Sequence, residues 1–406
     1  MKNLLFSLVA VAAFSTAHGQ ANSLSFSQNG SGNQAPTVSQ KGSANTGSVL
    51  VSGDYNSSRF EQSGNNQQGG IAITGNRNTA SVRTDHYLNE AFITQAGNDN
   101  KGSVYALSRS DHNQISLNQS GDGNDGTAYA SDHSDNNQIS LTQNGTANTG
   151  FAYSTQRSAR NQIGLTQNGT GNFGSAHAYN SDKNEISFSQ SGDRNVGYVV
   201  AYNTDKSVIN LTQSGNSNYG YASSAGGDYN QISLVQEGDN NYGYSYSSDG
   251  RNNEISLTQS GNGNYGKSQS SGADATRISL TQTGDNNSGI GQVNGGYNNQ
   301  MTLTQTGISN KVVALQGFGS ANQLRHTQTG NANISELYQQ GTSNSTLVLQ
   351  EGNGNTLSGL DGGLNYAAQF GNGNELTLTQ TGNGNTLQFG QFGNNNSATI
   401  TQGPLN

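Results

Sequence analysis

The side chains in this sequence that could carry conventional chemistry are few and poorly placed for it. Serine, aspartate and histidine are all present, yet no nucleophile and base stand in the arrangement a preorganised catalytic site requires. Asp111-His112 and Asp132-His133 fall in successive repeats, as a shared metal ion would need, but they differ in phase relative to the glutamines that follow, Gln119 and Gln143. The five histidines beyond the leader (His86, His112, His133, His177, His326) show no ligand spacing. They read as solvated turn residues. Gly121-Asp122-Gly123-Asn124-Asp125-Gly126 has the composition of one calcium-binding turn, but such rolls repeat the acidic turn at a short period and this one has no neighbour at nine residues. It reads as a flexible turn. No catalytic residue, metal or cofactor is assigned.

What the chain does have on a fixed spacing is amides and glycines. A glutamine recurs at Gln95, Gln119, Gln143, Gln167, Gln190, Gln213, Gln236, Gln259, Gln282 and Gln305, in steps of 24, 24, 24 and then 23. After Gln305 the step halves to 11 or 12, through Gln316, Gln328, Gln339 and Gln350, and again through Gln369, Gln380, Gln391 and Gln402. Gln28, Gln40 and Gln62 fit the same grid, with Val51, Ile73 and Thr84 in glutamine's place. Asn172, Asn195, Asn218, Asn241 and Asn264 keep the period, as do Gly192, Gly215, Gly238, Gly261, Gly284 and Gly307. The chemistry such columns can do is hydrogen bonding to themselves. A lone buried amide is a liability, whereas a stacked one donates to the next and accepts from the last.

The elements that must position these amides are short strands. In Asn253-Glu254-Ile255-Ser256-Leu257-Thr258-Gln259-Ser260-Gly261-Asn262-Gly263-Asn264-Tyr265-Gly266, Ile255, Leu257 and Gln259 share one face and Ser256 and Thr258 the other. The first set is placed inside. In the strand after the turn, Asn241, Gly243, Ser245 and Ser247 fall inside and Tyr242, Tyr244 and Tyr246 outside. Large side chains on one strand thus face small ones on the other, which fills a thin core evenly. Gly-Asn-Gly-Asn and Gly-Asp-Asn-Asn supply residues that accept positive φ at the reversal. The expected fold is all-β: a two-layer cross-β solenoid of strand-turn-strand repeats of about 23 residues and about seventeen rungs. The grid shows one interruption, Leu357 to Asn365, where the spacing runs about three residues short. Pro36 is expected inside the second strand of the first rung, removing one donor there. Pro404 lies beyond the last glutamine.

Composition agrees with this. Only 30% of residues are hydrophobic and mean hydropathy is −0.72, which alone would suggest disorder. However, only 10% are charged and the two prolines lie near the ends, so backbone donors are kept throughout the interior. A net charge of −8 offers no basic patch to nucleic acid or anionic membrane. There is no cysteine. Residues 1–19 have a positive start, an apolar stretch from Leu4 to Phe14, and small residues before Gln20, the pattern of a cleaved signal peptide too short to span a bilayer. The expected organisation is 1–19 signal peptide, 20–94 divergent repeats, 95–304 regular repeats of 23–24 residues, and 305–406 repeats with glutamine in both half-units.

The unit resembles the curlin repeat, the building block of curli subunits. Asn253, Ile255, Leu257, Gln259, Gly261, Asn264 and Gly266 match that pattern in order, and Lys311 to Gln316 restores its closing glutamine. The resemblance covers nearly all of 24–402. It implies a secreted subunit of a curli-like extracellular amyloid fibre for biofilm matrix and adhesion. The partners it implies are other copies of itself, an outer-membrane export pore and a nucleator subunit. Three features depart from the family: the array is longer, small residues such as Ser270 and Ser224 replace the closing glutamine in the middle, and repeats begin by Leu24 with no glycine-rich targeting segment. A second reading uses the outward Ser256, Thr258, Ser140 and Thr142: stacked hydroxyl columns suit a soluble solenoid that binds ice or a polysaccharide.

Overall fold

The computed structural model describes residues 21–359 and 366–403. The signal segment and Pro404 lie outside these residues. Among them are 34 strands and no helix. Strands alternate between two sheets, and each pairs in parallel with the next but one in sequence. Glu254–Ser260 lies between Gln231–Glu237 and Arg277–Thr283 in the first sheet. Tyr265–Asp274 lies between Tyr242–Ser248 and Ser288–Tyr297 in the second. Register is strict: Ile255 is opposite Ile278, Leu257 opposite Leu280 and Gln259 opposite Gln282. The first sheet has seventeen strands. The result is a two-sheet β-solenoid with the core between the sheets.

Period-2 alternation sets the faces. Ile255, Leu257 and Gln259 are fully buried, as are Asn264, Ser268 and Ser270 from the second sheet. The second sheet carries an unbroken inward column of glycine from Gly102 to Gly289. A Cβ on Gly266 would sit 2.6 Å from Leu257 Cδ1, so the large residue of one sheet occupies the space the other leaves. Near the N-terminal end this exchange is reversed. Phe60 on the second sheet is fully buried, and a Cβ on Gly47 of the first would come within 2.6 Å of its ring.

The first turn has two conformational demands. Gly261 has φ 116°, and a Cβ there would lie 2.2 Å from the carbonyl oxygen of Gly284 in the next rung. Only glycine meets both conditions. Gly263 has φ 66°, and its counterparts are Asn240, Ser217 and Arg194 at φ 56–58°, within the left-handed region that other residues enter at modest cost.

Three expectations are corrected. The interruption is an insertion, not a shortfall. Thr356–Gly359 and Ala367–Phe370 are two pieces of one rung, both paired with Ile334–Gln340 on one side and Thr386–Phe392 on the other. Gln350 pairs with Gln380, 30 positions on, and register resumes. Pro36 is not inside a strand. Thr37–Ser43 begins just after it, where the chain regains an N–H to donate. Nor are all the histidines in turns: His326 occupies an inward strand position between Leu303 and Val348, and His177 an outward one beside Tyr153 and Val200.

Candidate functional site: stacked amide ladders and open edge strands

From Gln95 to Gln402 an unbroken run of glutamines forms one ladder. Each Nε2 donates to the Oε1 of the next at 2.7–2.9 Å. Gln259 shows the full set of bonds. Its Nε2 donates to Gln282 Oε1 at 2.9 Å, Tyr242 O at 3.1 Å and Asn264 O at 3.0 Å, and its Oε1 accepts from Gln236. The amide thus ties the rung to its neighbours and the first sheet to the second. The ladder starts where an apolar residue precedes it: Ile73 lies below Gln95, whose Oε1 has no partner among the described residues. A second ladder on the other sheet joins Gln316, Gln339, Gln369 and Gln391 at 2.8–3.0 Å, across the insertion. Gln40 and Gln62 form a short third one at 2.8 Å. Gln28 lies opposite Val51 in the first strand.

The asparagines do a different task. Asn172, Asn195, Asn218, Asn241 and Asn264 belong to a column that runs from Asn33 to Asn385 at the first turn. In each, Oδ1 accepts the backbone N–H of the next asparagine, as Asn241 Oδ1 does from Asn264 at 3.0 Å. Asn264 Nδ2 donates to the Gly284 carbonyl at 2.7 Å, which binds the glycine turn to the rung below. Sequence reasoning missed a matching column at the second turn, from Asn89 through Asn137, Asn184, Asn230 and Asn253. Ser207 and Thr276 take asparagine's place there. The signal was present in the Asn that opens each Asn-Gln-Ile or Asn-Glu-Ile segment. Its weaker periodicity hid it, because short side chains can also accept an N–H.

The turn carboxylates complete the stacking. Asp239 Oδ1 accepts the Asn216 N–H at 2.7 Å, and Asp285 Oδ1 that of Asn262 at 2.8 Å. Along this column Asp193, Asn216, Asp239, Asn262 and Asp285 alternate, so carboxylates lie two rungs apart and repel less. Asp122 in the acidic turn is used in the same way, accepting the Asn98 N–H at 2.8 Å. No group of three metal-ligating side chains exists among the described residues. His112 and His133 stand in different columns, over Leu88 and Arg109.

His326 is buried among apolar neighbours. Its Nδ1 bonds the Val348 carbonyl at 3.3 Å while Nε2 has no partner, which is the pattern of a neutral ring. Burial pushes its pKa down to about 4. On the outer face of the second sheet, tyrosines stack in columns. The Tyr219 and Tyr242 rings lie 4.7 Å apart at 6°, Tyr242 and Tyr265 5.4 Å apart at 11°, and Tyr221 and Tyr244 4.8 Å apart at 9°.

Four strands of the described solenoid pair on one side only, two in each sheet. In the second sheet they are Thr37–Ser43 and Thr386–Phe392. In the first, Ser23–Asn29 bonds to Thr46–Ser52, and Ser397–Gln402 to Glu375–Thr381. Each presents a row of free backbone groups. No helix among the described residues is long and apolar enough to cross a membrane. Two segments of the chain, 227–261 and 371–403, match the profile of the curlin associated repeat. Comparison with curated protein sequences gives no match.

Proposed function

We propose that this chain, two segments of which match the curlin associated repeat, is the structural subunit of a curli-like extracellular amyloid fibre, and that it polymerises by stacking one solenoid on the end of another. The observation that carries this is the identity of the joint with the interior. If the last strand, Ser397–Gln402, meets the first strand of an incoming copy, Ser23–Asn29, in the register seen throughout the sheet, Gln402 faces Gln28, Ile400 faces Phe26 and Ala398 faces Leu24. Gln402 is the last glutamine of the ladder, and its Nε2 bonds only the Thr386 carbonyl. An incoming Gln28 offers it an acceptor. Each added copy therefore extends the backbone ladder and the amide ladder together, as in a cross-β fibril.

In this reading residues 1–19 direct export, an outer-membrane pore passes the unfolded chain, and a nucleator subunit starts the stack. Residues 20–94, 95–304 and 305–406 are successive parts of one array. The role is matrix and adhesion, not catalysis. The test is seeded growth of the mature chain from denaturant, with fibre diffraction. Seeds should abolish the lag, and the fibres should give a meridional reflection at roughly 4.8 Å. A soluble monomer that ignores seeds would overturn the proposal. Thermal hysteresis in such a monomer would favour surface binding through the Ser/Thr columns.

A further inference from the structure

The two outer faces of the solenoid differ in kind. The outward residues of the first sheet are mostly serine, threonine and amides, as in Ser256, Thr258 and Ser260. The second sheet carries aromatic columns over eight strands, from Lys101–Ala106 to Tyr265–Asp274. Its five central strands, Thr149–Thr155, Phe173–Tyr179, Val196–Tyr202, Tyr219–Ala225 and Tyr242–Ser248, contain no Asp, Glu, Lys or Arg. Charge returns only at the margins, with Asp125 on one side and Lys267 on the other. Tyr202, Tyr242 and Tyr265 are 45%, 41% and 39% exposed. A contiguous patch of this kind on a lone chain marks a contact surface.

We propose that this aromatic face is a lateral interface between copies of this chain, two solenoids packing face to face through it. Three observations select a second copy as the occupant. The first is size. Eight rungs at roughly 4.8 Å by seven residues at roughly 3.3 Å give a face of about 900 Å², against the about 800 Å² per partner of a standard stable interface. The second is charge. The chain is acidic overall, at −8, but this face has no carboxylate across its centre, so two copies meet there without like-charge repulsion. The third is periodicity. Every one of the eight strands carries at least one outward ring, in columns of up to four at the rung spacing, and the surface that repeats at the same spacing over the same length is another copy of this one. Self-complementary columns can then interdigitate at every rung about a two-fold axis.

The geometry also selects against a sugar. Tyr219, Tyr242 and Tyr265 turn their faces to one another, at 6° and 11°, and present edges and hydroxyls outward. A pyranose needs an open ring face. His177, at the centre of the patch, has its pKa lowered by burial, and Tyr244 has its own pushed up to about 12 by burial and neighbouring tyrosines, so both stay neutral. The interface does not need end-on growth, and the two can fail separately.

The experiment measures mass per unit length of fibres grown from the mature chain. Wild type should show twice the value of a single solenoid. The double variant Tyr221→Lys/Tyr244→Lys should fall twofold to single filaments while keeping its seeded growth rate and its axial repeat. Tyr221→Phe/Tyr244→Phe should remain paired, and Thr212→Lys/Thr258→Lys on the opposite face should also remain paired. If the lysine variant does not fold, as judged by circular dichroism, the phenylalanine pair and the opposite-face pair carry the comparison against wild type. Single wild-type filaments would overturn the proposal. So would wild-type filaments that gain mass only when cellulose is added, which would assign the face to a glycan. Should the chain not polymerise, sedimentation of the folded protein at micromolar concentration reads the same contact: a dimer supports it and a monomer refutes it.

Discussion

His326 should make one rung of this solenoid sensitive to acid. The ring stands in a column of aliphatic side chains, between Leu303 and Val348. The inward residues of the two nearest strands of the opposite sheet, Val312, Ala314 and Gln316 and then Ser335, Leu337 and Gln339, include no titratable group. Nothing nearby compensates a positive charge, and burial lowers the pKa from 6.5 to about 4. The unfolded chain therefore takes up a proton below about pH 6.5 that the folded rung refuses until about pH 4. Stability is complete above 6.5, falls between 6.5 and 4, and levels off below. A shift of this size at ~1.4 kcal/mol per unit amounts to about 3 kcal/mol. His326→Leu removes the linkage and the unpartnered Nε2, and leucine already fits this column at Leu303. The assay is amide hydrogen exchange in Gln323–Asn331, comparing the two proteins at the same pH so that intrinsic rates cancel. Protection in wild type should fall about a hundredfold relative to the leucine variant between pH 7.5 and pH 4. Equal pH dependence in the two proteins would refute a neutral buried imidazole.

Gln259→Ala should slow assembly more than Thr258→Ala, because it strands Gln236 Nε2 and Gln282 Oε1 at about 1–3 kcal/mol each, whereas Thr258 is only half-buried on the outer face; equal lag times would contradict the face assignment. Gly261→Val alone should give a small defect and the quadruple change at Gly215, Gly238, Gly261 and Gly284 a large one, since each added Cβ would meet a backbone carbonyl of the next rung at 2.2–2.3 Å; an unaltered growth curve for the quadruple protein would exclude the stacked turn. Asn253→Ser and Asn264→Ser each free a carbonyl that the asparagine Nδ2 holds, of Ala273 and of Gly284, and should each cost about 1 kcal/mol or more; Ser207 already stands in the Asn253 column, so the loss there should be the smaller, and urea midpoints of the two variants measure the difference.

The sequence by itself determined the repeat, the two faces of each strand and the position of the tight turns. These properties are local. Alternation at period 2 sorts Ile255, Leu257 and Gln259 from Ser256 and Thr258 whatever lies above or below, and the glycine two residues past a glutamine, as Gly261 is past Gln259, is required by its own backbone angle. Columns are not local, because the residue above any other is 22 to 30 positions away. Only the tertiary structure decided that Thr356–Gly359 and Ala367–Phe370 belong to one rung, since either a short pair or an insertion satisfies the glutamine spacing. Register across the gap resolves it, with Gln339 bonded to Gln369. In the same way Phe60 fills the space left by Gly47 and Gly69 near one end, and the glycine column admits Leu257 in the middle, because only summed volume across the two sheets is constrained. His326 looked like a turn residue by type and proved to be core by phase. The tyrosines were legible as outward, but their stacking into an uncharged face depends on parallel in-register pairing, which places identical side chains one rung apart.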